Sequence, residues 1–404
     1  MSRKSKTEYE RKLFEMLTCF LQGGHEHIDT PEDFKAVFDL ARIHSLLPIL
    51  YHVLREDRQI WKDRLPGEMD YLQKTYKTSL YQAVVQELAI KELQDVFFEA
   101  GIKLIFFKGA QIRSFYPIPQ LRTMGDIDCL IAIKDRERAV QCLSNLGYQC
   151  KMNTGDVWVY VRGCVVLELH TRIAGNNMLN GFDYREYFYD ALNHTEQQGK
   201  IWYFEKEYHF CFLIYHIAKH LRSTGAGMRM IMDIAIFTQY YQDELNWKQI
   251  KDMLKEIQLF SVAGAVFQLC ERWFGVEIYW EEKISEDTLN VLEEYMLAGG
   301  TFGHVTHDCG DVYRRNHYQY EEDKQRKATW LMFKNYIFPS AERMVQIFPA
   351  VEHYKWLLPL AWAKRWFQGI FKRREHSIKT IQSMTKADGG QAKREAEMLR
   401  NIGL

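Results

Sequence analysis

The chain has no excess of charge of either sign. Its 404 residues include 53 Lys and Arg and 53 Asp and Glu, which gives a formal net charge of +0. No field of the whole protein therefore attracts nucleic acid or anionic membranes, and any basic patch has to be local.

Paired cysteines and long apolar runs are also missing. The 8 cysteines are scattered and none forms a CxxC pair, which excludes the usual ligand spacing of a zinc site. Cys129 and Cys164 lie in apolar stretches and are predicted to be buried. No window reaches the roughly 18 uncharged apolar residues that a membrane span needs, and the N-terminus lacks the apolar stretch of a signal peptide. We therefore expect a cytoplasmic protein without a transmembrane segment.

What is present is an ordinary globular composition, with 47% hydrophobic and 14% aromatic residues. The length suggests two or three units, each able to bury a core. Apolar residues at helical spacing predict an N-terminal helical region over 1–100 and a helical domain over 201–300. An irregular segment followed by a basic helical tail is predicted over 301–404.

Residues 101–200 have a different pattern and form the predicted core. Short apolar runs bounded by glycine and proline predict strands, and Gly163 joins the last two in a hairpin. The fold class that follows is α+β, with a mixed sheet flanked by mainly helical N- and C-terminal regions. The predicted strands cover 102–107, 126–133, a return strand that begins at 147, 157–162 and 164–170.

Three acidic residues of this core indicate chemistry. Asp126 and Asp128 alternate along a strand and share a face, with Ile127 opposite. Glu168 lies inside an apolar strand, where a charged residue needs a partner, and His170 shares its face. If the two strands are neighbours, the carboxylates converge and need a cation between them. Mg²⁺ fits best, because it prefers oxygen ligands and is usually shared with substrate phosphates.

A glycine and two basic residues accompany the acids. Gly109 follows a buried strand and precedes a helix, so its backbone can approach a triphosphate beside the helix N-terminus. Lys108 and Arg122 supply positive charge for that phosphate chain. A DxD pair alone is usually a solvated pair of acids. The order of glycine, DxD strand and later acidic strand is what predicts a metal–phosphate site.

These residues resemble a known group of proteins. The order of the elements is similar to the nucleotidyltransferase fold of polymerase-beta-like enzymes. More narrowly, residues 40–375 resemble the family of uncharacterised nucleotidyltransferases. The motifs that carry this resemblance are Phe107-Lys108-Gly109-Ala110, Tyr116-Pro117-x-Pro119-x-x-Arg122, Gly125-Asp126-Ile127-Asp128, Leu146-Gly147-Tyr148, Glu168-Leu169-His170, Ala41-Arg42-Ile43-His44, Leu47-Pro48-Ile49-Leu50-Tyr51, His216-x-x-x-His220, Arg229-x-x-x-Asp233 and Ile337-Phe338-Pro339-Ser340.

The resemblance implies roles for the core residues. Asp126 and Asp128 would hold the metal, and Glu168 would be the third acid, either a metal ligand or a base toward the acceptor. Gly109 would begin the nucleotide-binding turn. Mg²⁺, with Mn²⁺ as an alternative, would be the cofactor and an NTP the donor. Two features depart from the wider superfamily: Lys-Gly-Ala replaces the usual Gly-Ser or Gly-Gly, and sixteen residues separate Gly109 from Asp126.

Four further side chains are candidates for contact with substrate. His216 and His220 share a helix face, and a structural or substrate-facing role is favoured over metal binding because no third ligand is evident. Arg229 is predicted to pair with Asp233 within a helix, with a contact to phosphate as the alternative. His170 would orient an acid or contact substrate, with simple packing as the alternative.

The C-terminal part of the chain is basic and rich in tryptophan. A helix that packs on the protein is favoured for 355–374, and peripheral membrane contact is the alternative. Residues 386–404 are predicted to be a weakly held tail.

The predicted function is Mg²⁺-dependent transfer of a nucleoside monophosphate from an NTP to a hydroxyl or phosphate acceptor, with release of pyrophosphate. The sequence leaves the acceptor open among small molecules, proteins and RNA, although the neutral charge argues against a large nucleic acid. Two alternatives stay open. One is a non-catalytic module that keeps the fold to bind a nucleotide or a partner. The other is a toxin that modifies tRNA or protein by the same chemistry.

Overall fold

The computed structural model describes residues 3–175, 180–223, 225–301, 334, 337–345, 348, 350–371 and 389–404. Helices of the N-terminal region are α1 (Arg3–Leu21), α2 (Pro31–Ile43), α3 (Leu47–Val53), α4 (Arg58–Arg64) and α5 (Pro66–Glu99). Those of the core are α6 (Gly109–Ile112), α7 (Arg136–Asn145) and α8 (Tyr184–Tyr187). Those that follow are α9 (Lys206–Arg222), α10 (Met228–Tyr241), α11 (Trp247–Glu256), α12 (Phe260–Phe274), α13 (Glu286–Gly299), α14 (Ala341–Val345), α15 (Ala350–His353), α16 (Leu358–Phe371) and α17 (Gly389–Asn401).

The sheet is mixed, as predicted, and has the order β3-β4-β5-β2-β1-β7-β6 in the described residues. β2 and β5 are parallel neighbours, and Asp128 pairs in register with Glu168. The neighbouring strands that the acid cluster needs are therefore present. The strands are β1 (Ile105–Phe106), β2 (Ile127–Leu130), β3 (Gln149–Met152), β4 (Val157–Arg162), β5 (Val165–His170), β6 (Thr195–Gln198) and β7 (Ile201–Phe204).

The two faces of the sheet pack against different helices. On one face, Phe106, Ile127 and Leu167 share a hydrophobic cluster with residues of α5 and α7. On the other face, Ile105 and Leu130 belong to a larger cluster that includes α9 to α12. Because side chains alternate along a strand, Asp128, Glu168 and His170 point to this second face, toward α9.

The N-terminal helices and those of 201–300 share the larger hydrophobic cluster. Phe14 of α1 stacks on Trp273 of α12, with ring centroids 5.5 Å apart. The start of α2 is fixed locally, since Thr30 Oγ1 accepts the N–H of Asp33 at 3.1 Å and Pro31 occupies the first helical position. The helical flanks therefore form one body around the sheet.

Several sequence predictions of strand extent need correction. The predicted strand 102–107 pairs only at Ile105–Phe106, and 126–133 only at Ile127–Leu130. Ile102 and Leu104 are buried against α5 but do not pair with another strand. Their apolar side chains therefore indicate burial in the core and not membership of a strand. β6 and β7 were not predicted, because β6 is polar and exposed. β7 (Ile201–Phe204) belongs to the sheet but lies just beyond residue 200, where the predicted core ends.

Cys164 is exposed, so the prediction that it is buried is wrong, whereas Cys129 is buried as predicted. Cys164 follows Gly163, whose φ of +58° forms the turn of the predicted β4–β5 hairpin. The turn projects this residue into solvent although its neighbours are apolar.

The C-terminal residues are not a weakly held tail, which corrects the prediction for 386–404 within the described residues. α17 packs on α13, and Ala396 and Leu399 of α17 are buried, as is Ile402 directly after it. These three residues recur at helical spacing and so share one face. The tail is therefore part of the main hydrophobic cluster.

The basic tryptophan-rich segment is helical where the structure describes it. Ala361 of α16 is buried with Met344 and Val351 in a small cluster, while Trp356 is exposed. Membrane contact by this segment stays a prediction. Except for Thr301, the predicted irregular stretch 301–328 lies outside the described residues, as do the basic residues 372–374. Among the described helices, none has the length and apolar character needed to cross a bilayer.

Candidate active site

Two carboxylates and an imidazole meet at the centre of the sheet. His170 Nε2 lies 2.9 Å from Asp128 Oδ1 and 3.4 Å from Glu168 Oε2. The three ligand atoms lie within 4.8 Å of one another. This follows from the register of β2 and β5, which places Asp128 beside Glu168 and His170 one step further along the same face. His170 therefore faces the acids, as predicted.

The negative charge of Asp128 and the positive charges of Lys108 and His170 stabilise one another. Burial raises the pKa of Asp128, but the Lys108 ammonium and the His170 hydrogen bond outweigh it and hold that pKa well below its usual range. Burial lowers the pKa of His170, yet its hydrogen bonds to Asp128 and Glu168 raise it above the usual value. Asp128 is therefore ionised and His170 favours its charged form.

Asp126 lines the same cavity but stands apart from this group. It precedes β2 and is half-buried. Burial, together with the charges of Asp128 and Glu168, raises its pKa to about 6. The predicted carboxylates thus lie close enough to repel one another, although Asp128, Glu168 and His170 form the tighter set. A metal role for Asp126 stays a prediction.

Lys108 occupies the position of a counter-ion. Its Nζ donates to Asp128 Oδ1 at 2.7 Å, and its backbone N–H donates to His209 Nε2 at 3.3 Å. Burial lowers the pKa of His209 to about 3, so its ring is neutral and can accept. Lys108 has a φ of +52°, a conformation that costs a non-glycine residue about 1–3 kcal/mol. This strained backbone position therefore accompanies an ammonium that is placed on Asp128.

Gly109 gives room to the Arg122 guanidinium. A Cβ atom at this position would lie 2.3 Å from Arg122 Nη1. Arg122 in turn donates to Asp233 of α10, with Nη2 2.6 Å from Oδ2 and Nε 3.2 Å from Oδ1. Tyr116 donates to Asp233 Oδ1 at 2.7 Å. The predicted phosphate ligand Arg122 is therefore already paired with a carboxylate.

The predicted pair of Arg229 with Asp233 is wrong, because Asp233 accepts from Arg122 and Tyr116. Arg229 Nη1 donates to Thr123 O at 2.5 Å and to Thr123 Oγ1 at 2.7 Å. Its buried Nε has no hydrogen-bond partner among the described residues. Burial and the charge of Arg122 lower the pKa of Arg229 to about 10.

α9 supplies the other wall of the cavity through His216, Lys219 and His220. The two histidine rings are in edge contact, with centroids 4.6 Å apart. Burial lowers the pKa of His216 well below its usual value, and the charge of Lys108 adds to this effect. His216 is therefore neutral in a wall that also carries Lys219.

One cavity of about 310 Å³ is lined by residues of both walls. It brings together every site residue predicted from the sequence except His170, which lies beneath Asp128 and Glu168. Lys219 and His209 were missed. His209, His216 and His220 recur at spacings of seven and four residues, a helical pattern that could have revealed this face. The cavity is lined by Lys108, Gly109, Arg122, Met124, Gly125, Asp126, Asp128, Glu168, Leu213, His216, Ile217, Lys219, His220, Arg229, Met230, Asp233 and Thr301.

A search of curated proteins finds no match to the chain. Among solved structures, the chain is similar to one described as the solution structure of the antibiotic-resistance factor ANT(2'')-Ia. The two are 12% identical over 43% of this chain and 91% of that chain, with a TM-score of 0.34. A likeness this weak carries no argument about the site.

A family model described as uncharacterised nucleotidyltransferase matches residues 30–275. The match contains the whole sheet, the acid cluster and α9 to α12, and it confirms the resemblance that the motifs indicate. The chain therefore belongs to the family of uncharacterised nucleotidyltransferases.

Proposed function

We propose that this protein is a metal-dependent nucleotidyltransferase that moves a nucleoside monophosphate from an NTP to an acceptor hydroxyl or phosphate. The family membership supports nucleotidyl transfer in general. The observation that carries the finer proposal is the grouping of Asp128, Glu168 and His170 at one edge of a cavity whose other wall is cationic.

The donor set fits a divalent cation. Asp128 and Glu168 offer the hard oxygen ligands that Mg²⁺ prefers, and His170, once it has lost its proton, offers a nitrogen ligand that Mn²⁺ also accepts. Asp126 would complete the set from the same cavity. The Lys108 ammonium lies 2.7 Å from Asp128 Oδ1, so a bound cation would share this carboxylate with Lys108 or displace it. When bound, the cation would polarise the α-phosphoryl group and stabilise the charge of the leaving pyrophosphate.

The side chains of the protein would orient the reaction. The acceptor oxygen attacks the α-phosphorus, and the bond to the bridging oxygen breaks, so that pyrophosphate leaves with the electron pair. Glu168 is the more exposed acid of the set and would take the proton of an acceptor hydroxyl. His170 would hold Asp128 in place. Lys108, Gly109 and Arg122 stay the predicted nucleotide-binding residues, and His216, His220 and Arg229 predicted substrate contacts.

Calorimetric titration with ATP, CTP, GTP and UTP, each with and without Mg²⁺, tests the proposal. We expect at least one NTP to bind only with Mg²⁺, and binding to weaken at least about tenfold in Asp128→Asn and Glu168→Gln, since each loses a charged ligand. Asp156→Asn is the control, because Asp156 pairs with Arg185 away from the cavity. A folded wild type that binds no NTP would overturn the proposal and favour a non-catalytic module.

A further inference from the structure

Two of the predicted phosphate ligands are already paired. Lys108 is bound to Asp128 and Arg122 to Asp233. Of the cations that line the cavity, Lys219 and Arg229 have no carboxylate within ion-pair distance among the described residues. Both come from the helices that face the acid cluster. The positive charge available to a ligand therefore lies on the helical wall.

The charge of Lys219 lies in a place where it destabilises the folded protein. It is half-buried on α9, next to His220 in the chain, and lines the cavity. Burial lowers the pKa of Lys219 and the charge of Lys108 lowers it further, while Asp128 and Glu168 act in the opposite sense. A partly buried ammonium without a close anion destabilises the empty cavity, and a bound anion would remove that cost.

Arg229 has unused hydrogen-bonding capacity at the same wall. One of its terminal nitrogens is held by Thr123, and its buried Nε has no partner among the described residues. A buried donor without an acceptor costs about 1–3 kcal/mol. Thr123 thus fixes the guanidinium in the cavity wall, and the Nη2 group, which donates to no described residue, stays available.

An acidic wall and a cationic wall in one cavity suit a ligand that carries both a divalent cation and a chain of negative charges. We propose that Lys219, supported by Arg229, binds the phosphate chain of the donor nucleotide. This inference rests on the proposed function and changes the predicted site, because the main phosphate contact moves from the Lys108–Gly109 turn to α9. Lysine suits this role as a compact charge on a flexible stem.

Titration calorimetry with Mg²⁺-tripolyphosphate and with the four Mg²⁺-NTPs tests this assignment. In Lys219→Met, both kinds of ligand should bind at least about tenfold more weakly, since a charge-assisted contact is lost. Lys219→Arg should bind close to the wild type. Lys206→Met is the matched control, because Lys206 lies on the same helix but pairs with Glu244. Lys219→Gln replaces the Met variant if that variant does not fold.

A second readout separates binding of phosphate from a structural role. The affinity for Mn²⁺ alone, measured by electron paramagnetic resonance, should not fall in Lys219→Met, because removal of a nearby positive charge favours a bound cation. Binding of the NTP within about twofold of wild type would overturn the inference and leave the proposed function standing. If wild type binds no NTP but binds tripolyphosphate through Lys219, the proposed function fails and the anion site stands. A parallel loss of Mn²⁺ affinity would also overturn the inference.

Discussion

Arg122 and Asp233 form a two-point ion pair that joins the sheet to the helical wall of the cavity. The Nη2–Oδ2 distance is 2.6 Å and the Nε–Oδ1 distance is 3.2 Å. Arg122 lies five residues before β2, the strand that carries Asp128, and Asp233 lies on α10, which also carries Arg229. The pair therefore sets the distance between the two walls, and a bidentate arginine does so with fixed geometry.

Removing the charge of Asp233 should destabilise the fold. Asp233→Asn leaves the buried Arg122 guanidinium without its counter-charge, and we expect the free energy of unfolding to fall by about 3 kcal/mol. Urea unfolding followed by circular dichroism measures this change. The control is Glu244→Gln, which breaks the exposed pair with Lys206 and should cost no more than about 1 kcal/mol. Equal losses in the two variants would refute the role of the buried pair.

Neutralising Asp126 and neutralising Asp128 should change stability in opposite directions. Asp126→Asn removes a carboxylate whose pKa is raised to about 6. Ionisation of Asp126 destabilises the folded protein as pH rises from about 4 to 6, so the variant should be more stable than wild type by about 3 kcal/mol at pH 7.5. Asp128→Asn instead removes the anion that holds Lys108 and His170, and should be less stable. Thermal unfolding in EDTA at pH 4.5 and 7.5 compares them.

The difference between wild type and Asp126→Asn should be small at pH 4.5 and larger at pH 7.5. A constant difference across this range would mean that ionisation of Asp126 does not destabilise the fold. An Asp128→Asn variant as stable as wild type would show that Lys108 and His170 do not depend on that carboxylate.

Lys108 should compete with a divalent cation for Asp128. Lys108→Met leaves Asp128 with His170 as its cationic partner, so the metal-free protein should lose about 3 kcal/mol. Added Mn²⁺ then replaces the missing charge, and its stabilising effect follows from binding to the folded state. We expect a larger rise of Tm with Mn²⁺ in the variant than in wild type. Lys200→Met, which breaks an exposed pair with Asp95, should respond like wild type.

The acid cluster could be predicted from the sequence because strand periodicity is local. Alternation places Asp126 with Asp128 and Glu168 with His170 on one face, and a glutamate inside an apolar strand needs a polar partner. Alternation alone does not show that the two strands are neighbours. The order of the motifs, through its resemblance to the nucleotidyltransferase fold, indicated that they are. This part of the site follows from rules that act over a few residues.

The partners of the cavity cations could not be predicted, because they depend on tertiary packing. Arg122 and Asp233 are 111 residues apart, and so are not neighbours in any local pattern. The spacing of Arg229 and Asp233 satisfied the local rule for a helical ion pair, yet Arg122 takes the carboxylate. The C-terminal residues were predicted to be helical, but their packing was not predicted, because their many charged residues obscured the buried stripe that contains Leu399.

A buried histidine outside the site makes the stability depend on pH. His44, in the motif at the end of α2, donates from Nε2 to Leu297 O at 3.1 Å and is fully buried. Burial lowers its pKa from 6.5 to about 4. Below pH 6.5 the unfolded chain gains a proton at this residue that the folded protein does not take up. Stability should therefore fall as pH falls from about 6.5 to 4.

His44→Gln keeps an N–H donor for Leu297 but cannot titrate. Between pH 7 and 4.5, wild type should lose about 2 kcal/mol more of its free energy of unfolding than this variant, because two pH units of proton uptake by the unfolded chain are removed. Urea unfolding at pH 4.5, 5.5 and 7 measures the two slopes. His25→Gln changes an exposed histidine beside Glu56 and should keep the wild-type slope. Parallel curves for wild type and His44→Gln would mean that His44 is protonated in the folded protein, which would contradict its burial as a neutral ring.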